Sequence, residues 1–200
     1  CCAVVFKVLL SLKEEGWEER QSFLEKDELE MGFETKIRKN TPILTLNKES
    51  ERVELIFQHE IETYIKKNKR PDMTISYFRN EKLLNMIILD PKYRDNLFQK
   101  YDDNSTRSAI DDMHIYRDAF RNKNGKRKCG WAIILYPGKA KEGTANQYNE
   151  NWIDGDIYSG IAAFCLRPGD DIGEQKKNLF KYIKYCLFER EIGSTSLKNP

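Results

Sequence analysis

A mixed α/β fold in a single domain is what this sequence predicts, and three observations carry it. Apolar residues recur at helical spacing near both ends of the chain, and a capping signal near residue 108 opens a further helix. Between these lie short strand-like runs, giving the order helix, several strands, helix, strand, strand, helix. The 200 residues are 40% hydrophobic, enough for one real core at this length.

Each element has its own local reason. Over residues 2–15, Val5, Phe6, Leu9, Leu10 and Leu12 fall near helical spacing and Gly16 supplies a stop. A charged stretch follows to about Lys39. Thr41-Pro42 then opens a strand over Ile43–Leu46, and Arg52–Phe57 alternates well enough to form another. MTISYF from Met73 and LLNMIIL from Leu83 are two more strand-like runs. Ser108-x-x-Asp111 marks a helix to about Arg121, and Asn124-Gly125 marks the turn of the loop after it. WAIILY (Trp131–Tyr136) is too short for a helix and ends at Pro137-Gly138, so it reads as a buried strand. Residues 139–157 are polar and loop-like. GIAAFCL (Gly160–Leu166) is a second buried strand, and a last helix over about 173–189 sets Leu179, Ile183, Cys186 and Leu187 on one face.

Charge and cysteine usage exclude several classes. Thirty-four basic against 32 acidic side chains leave a net charge of +2, so nothing pulls the whole molecule toward nucleic acid or lipid. Any such binding must be local. No apolar run approaches the roughly 20 residues of a membrane helix, and Ala3–Leu12 lacks the flanks of a signal peptide. The chain begins at Cys1 and runs straight into a helical pattern, as a segment of a longer protein would. Five cysteines, Cys1, Cys2, Cys129, Cys165 and Cys186, form no CxxC, which fits reduced thiols in a cytoplasmic protein. His59 and His114, the two histidines, are too few for a Cys/His metal centre.

The chemistry gathers around two aspartates. Asp72 starts one strand-like run, Asp90 ends the next, and the midpoint between them falls at residue 81, beside Asn80. A hairpin turning there sets the two carboxylates directly opposite, with Cβ atoms about 4.5–5.5 Å apart. Such a pair repels unless a cation lies between. Lys92, two residues beyond Asp90, falls on the same face. Hard oxygen donors at that separation suit Mg²⁺ or Mn²⁺, which keep several waters and bind phosphate oxygens. A surface Asp–Lys pair on an ordinary hairpin would share this spacing.

Further blocks resolve that choice by resemblance. Arg70-Pro71-Asp72 followed by Asp90-Pro91-Lys92 resembles the signature of the PD-(D/E)XK nuclease superfamily. Ile110–Ala119 (IDDMHIYRDA) is similar to the DxMHxYRDA helix of one branch, and Trp131–Gly138 and Ile161–Gly169 resemble its next two strands. That branch holds restriction-like nuclease domains related to the McrC-like subunit of modification-dependent restriction systems. The resemblance implies a restriction-endonuclease-like αβββαβ core with a mixed sheet flanked by helices. It also implies Mg²⁺- or Mn²⁺-dependent hydrolysis of DNA, an AAA+ partner that hydrolyses nucleotide, and a role in prokaryotic restriction or phage defence. Asp72, Asp90 and Lys92 would be its centre, with Asp72, Asp90 and the Pro91 carbonyl as metal ligands. A nuclease-like module without catalysis, or cleavage of RNA at the same site, are the other functions these residues allow.

Two departures accompany it. Pro91 stands where the family commonly has a small residue; proline loses the N–H and keeps the carbonyl. The acid that often opens the family's first helix has no counterpart at Cys1, leaving Glu14, Glu15 and Glu60 as substitutes. On the middle helix Met113 and Phe120 read as core, whereas Asp111, His114, Tyr116 and Arg117 read as support for the site. Two basic runs offer a grip on phosphates: Lys66, Lys67, Lys69 and Arg70 before Asp72, and Arg121, Lys123, Lys126, Arg127 and Lys128 after the helix.

Overall fold

The computed structural model describes residues 2–22, 40–62, 68–92, 109–121, 127–136, 160–166 and 172–189. Lys66, Lys67, Ser108, Lys123, the Asn124-Gly125 turn, Lys126 and the polar stretch 139–157 lie outside them. Helix α1 (Cys2–Leu10) continues as a 3₁₀ turn over Ser11–Glu15. Gly16 ends it at φ 87°, a left-handed conformation that costs glycine nothing, and its N–H donates to the Lys13 carbonyl at 3.1 Å.

Seven strands among the described residues form one sheet in the order β1-β2-β3-β6-β7-β8-β9. They are β1 (Glu18–Ser22), β2 (Pro42–Lys48), β3 (Glu51–Phe57), β6 (Met73–Arg79), β7 (Lys82–Pro91), β8 (Trp131–Tyr136) and β9 (Ile161–Cys165). A small pair, β4 (Ile61–Glu62) and β5 (Asn68–Lys69), stands apart from it. Strands β1 through β7 pair antiparallel, and β7, β8 and β9 pair parallel. Two-sided burial explains why WAIILY has no polar alternation: all six residues of β8 are buried. Strand β1 falls inside the stretch that reads only as charged. It is an outer strand whose residues are mostly exposed, so no apolar alternation announces it.

The helices divide between the faces. Helix α1 and helix α3 (Ile172–Lys184) cover one, where Ile75, Ile87, Leu89, Ile133, Leu135 and Phe164 join Leu179, Ile183, Cys186 and Leu187 in the main core. Helix α2 (Ala109–Ala119) lies on the other, where Met113 packs on Ala132 and Ile134, and Phe120 packs on Met86, Ile88 and Cys129. The last helical stretch differs from the expected α-helix: Tyr185–Glu189 is a π turn. Its widening lets Cys186 and Leu187 both reach the core, while Phe188 sits 5.5 Å from Trp17 and 5.0 Å from Tyr77. Asn85, the polar residue of the β7 run, donates its amide to the Leu187 carbonyl at 2.9 Å.

One irregularity in the sheet decides where the polar residues point. Strands β6 and β7 join through Asn80 and Glu81, both with positive φ (50° and 59°), between the pair Arg79–Lys82. This two-residue turn matches the twist of a hairpin. Left regular, it would set Asp72 opposite Leu89, with Asp72 and Asp90 on opposite faces. Leu84 is skipped as a bulge, since Phe78 pairs with Leu83 and Tyr77 with Asn85. From there the register runs to Met73–Leu89. Asp72 and Asp90 come one step past that last pair, close enough that the Asp72 charge acts on the Asp90 carboxyl and on Tyr116 of α2.

Candidate active site

The acid pair sits where antiparallel and parallel halves of the sheet meet. Thr74 and Ser76 share the α2 face with Asp72, while Met73, Ile75 and Tyr77 feed the opposite core. On β7, Met86 and Ile88 lead to Asp90 on the α2 face. The expected opposition of the two aspartates therefore follows from the register, although the turn is centred at Asn80–Glu81 and the bulge supplies the difference. Lys92 joins them: its Nζ lies 2.9 Å from Asp90 Oδ2. Asp90 is only 5% exposed. Burial pushes its carboxyl up to about 6; Lys92 pulls the other way, and the charges of Asp72 and Asp112 add to the rise.

Pro91 fits its place without breaking the ladder. The Lys92 N–H donates across to the Leu135 carbonyl of β8 at 2.8 Å, so the Pro91 nitrogen faces β6. That ladder has already ended at Met73–Leu89, and no bond there needs a donor.

Helix α2 closes the site from above. Asp112 and Tyr116, one turn apart, form the flank that faces β7: Asp112 Oδ2 lies 3.8 Å from Lys92 Nζ. The Tyr116 hydroxyl is held above its usual range, first by burial and then by the charge of Asp90, with Asp112 and Asp72 adding. Lys92 thus stands between two carboxylates from different elements. Sequence reasoning named Asp111 and missed Asp112. The discriminating signal was the i, i+4 spacing of Asp112 to Tyr116, set against the buried stripe of Met113, Arg117 and Phe120.

The other helix residues are placed differently. Asp111 and His114 are exposed, and His114 stands ~160° round the helix from Asp112. Arg117 is buried on the far flank, its described ion pair being to Asp118 at 3.7 Å. It passes beneath Gly160, whose φ is 71°; a Cβ there would meet the Gly130 carbonyl oxygen at 2.5 Å and Arg117 at 3.4 Å. Arg121 and Arg127 reach the same Asp118 oxygen at 3.9 and 2.7 Å. Of the second basic run, Arg127 is thus tied to Asp118, and half-buried Lys128 bonds its N–H to the Phe120 carbonyl. Of the first, Lys69 lies on β5, half-exposed, and Arg70 is exposed two residues before Asp72. The substitute acids do not converge here. Glu15 pairs with Lys184 of α3, on the opposite face, and Glu14 belongs to the same 3₁₀ turn. Glu60 is exposed, with its N–H bonded to Asn40.

Among the described residues no group of three or more His, Cys, Asp or Glu side chains is placed to hold a metal ion. The donors at the acid pair are two carboxylates and the Pro91 carbonyl, all hard oxygens. A magnesium-like ion that keeps most of its waters fits this set. The raised carboxyl of Asp90 is the mark of a charge that a cation would relieve.

A family model of the PD-(D/E)XK nuclease superfamily matches residues 2–141. The chain belongs to that superfamily, and its mixed sheet flanked by helices is the architecture expected of it. No curated protein and no solved structure matches the chain. No helix among the described residues is long and apolar enough to cross a membrane.

Proposed function

We propose that this domain is a divalent-cation-dependent endonuclease that hydrolyses DNA phosphodiester bonds, with Asp72, Asp90 and Lys92 at its centre. The observation that carries it is the buried Asp90 carboxyl, opposed by Asp72 and offset by Lys92 at 2.9 Å. An acid pair of this kind is unfavourable for a resting hairpin and useful for binding a cation. Asp72, Asp90 and the Pro91 carbonyl would hold Mg²⁺ or Mn²⁺. When bound, the ion lowers the pKa of a water and offsets charge on the phosphoryl group.

The chain's own groups supply the rest. Lys92, pinned by Asp90 and drawn by Asp112, presents its ammonium to the attacking water or a phosphate oxygen. Tyr116, kept protonated beside Asp90, offers a hydroxyl donor to a phosphate oxygen bound there. Arg70 and Lys69 hold the backbone beside Asp72 through contacts that carry no sequence information. The motifs of the middle helix favour a restriction or phage-defence protein of the prokaryotic cytoplasm, with this single domain part of a longer chain. Recognition and activation would then come from elsewhere, including an AAA+ partner.

Incubation with plasmid DNA and Mg²⁺ or Mn²⁺ tests the proposal. Cleavage is expected to vanish with chelator, and to fall at least ~100-fold in Asp90→Ala and Lys92→Ala. Undiminished cleavage by folded Asp90→Ala would overturn it. DNA binding that ignores the cation, with no cleavage under any condition, would mark a module without catalysis. Cleavage confined to RNA substrates would reassign the substrate.

A further inference from the structure

Beyond β3 the chain turns a corner that touches the head of β6 at two points. Gln58, in a left-handed conformation at φ 47°, donates its N–H to the Asp72 carbonyl at 2.8 Å. His59 follows, its Nδ1 3.0 Å from Oγ1 of Thr74, which is fully buried. Ile61 then anchors the corner among Met86, Ile88, Phe120 and Cys129. A left-handed conformation is one that a residue with a Cβ adopts only against strain, and among the described residues the buried Gln58 Oε1 has no hydrogen-bond partner. Local comfort does not account for a corner built this way.

Its location gives it a purpose. Asp72 lies one step past the last pair of the β6–β7 ladder, where pairing to β7 has ended. Thr74 is two residues further along β6, on the same face as the Asp72 carboxylate and opposite Ile88. The corner therefore grips β6 on both sides of the position that aims Asp72: through the backbone at Asp72 and through a side chain at Thr74.

We propose that the Gln58–His59 corner is a positioning element for Asp72, with His59 acting through Thr74 to hold that carboxylate at the spacing a divalent cation requires. The inference rests on the metal centre proposed above. The described contact of His59 is to Thr74, so it is a positioning residue and not a catalytic one. Groups of this rank around a metal ligand set affinity by fixing the ligand's orientation, typically by 10–100-fold.

The test uses Mn²⁺ binding by calorimetry on the metal-stripped full chain, with cleavage followed in parallel. His59→Ala and Thr74→Val are each expected to weaken Mn²⁺ binding by ~10-fold. The pair combined should be no weaker than either alone, because both remove one interaction. His59→Asn, whose amide falls near the position of Nδ1, should restore most of the affinity, whereas His59→Gln should not. The Mn²⁺ concentration for half-maximal cleavage should rise in step, with little change in KM for DNA. Equal Mn²⁺ affinity in wild type, His59→Ala and Thr74→Val overturns the inference, and so does a His59→Asn variant as impaired as His59→Ala. Thr74→Val loses only the hydroxyl, so a folded variant is at hand if His59→Ala unfolds. Should no form cleave DNA, graded Mn²⁺ affinities would still support the clamp while the hydrolytic assignment falls.

Discussion

Asp90 shows how far one side chain departs from what its position in a strand would choose. Six of the ten β7 residues are buried, and the last of those six is a carboxylate. Its folded carboxyl titrates near 6 against an ordinary 3.8, with burial the main cause. The folded protein then holds that proton more tightly than the unfolded chain does. The penalty for ionising Asp90 is absent below about pH 4, grows from there to pH 6, and is constant above. Without divalent cation, Asp90→Asn should therefore raise stability at pH 8 by roughly 2–3 kcal/mol. The gain should shrink as pH falls from 6 toward 4, as read by urea unfolding. A variant no more stable than wild type at pH 8 would mean that the folded Asp90 carboxyl is not held above its ordinary range, since the pull of Lys92 is already contained in the value near 6. Much of this was legible in the residues: Asp72, Asp90 and Lys92 stand out by type and spacing. Asp112 and His59 do not, because one depends on the rotation of α2 and the other on where a corner meets a strand far from it in sequence.

At the scale of the element, the bulge at Leu84 matters most. Strand existence was legible for β2, β3, β6, β7, β8 and β9, since each carries an apolar run between turn signals. The bulge was not, for a skipped leucine that directly follows another, Leu83, leaves no mark on the alternation. Nor was β1, whose exposed surface offers no pattern. Deleting Leu84 should be tolerated at the site: every pair from Tyr77–Asn85 to Met73–Leu89 survives in a now regular hairpin. Deleting Ile88 should not, because it turns Asp90 to the opposite face. Cleavage within ~10-fold of wild type for the first, and loss for the second in a folded protein, is the expected contrast. If the Leu84 deletion folds yet loses cleavage, the added twist of the bulge is itself required.

For the molecule as a whole, a net charge of +2 conceals a sorted surface. The two basic runs read alike in sequence, and the structure separates them. Lys69 and Arg70 lead into Asp72, while Arg117, Arg121 and Arg127 gather round Asp118 on the far flank of α2. Arg127, 2.7 Å from a carboxylate oxygen, is already committed. Titrating DNA affinity against salt, with Ca²⁺ in place of Mg²⁺, should separate them. Lys69→Ala and Arg70→Ala are each expected to lower the slope of log K against log salt by about 1, and Arg127→Ala to leave it nearly unchanged. A full unit lost with Arg127→Ala would place the DNA across the far flank instead.

The division of the sheet into antiparallel and parallel halves also orders the molecule in time. Strands β2, β3, β6 and β7 follow one another through short or moderate connections, so their pairing closes small loops. Strand β8 must wait for a crossover of about 40 residues that carries α2 with it. On this order the two aspartates meet in one of the two tight hairpins that close first, before the helix bearing Asp112 and Tyr116 has arrived. The nascent sheet carries its least favourable contact from the start, and docking of α2 sequesters that contact instead of creating it.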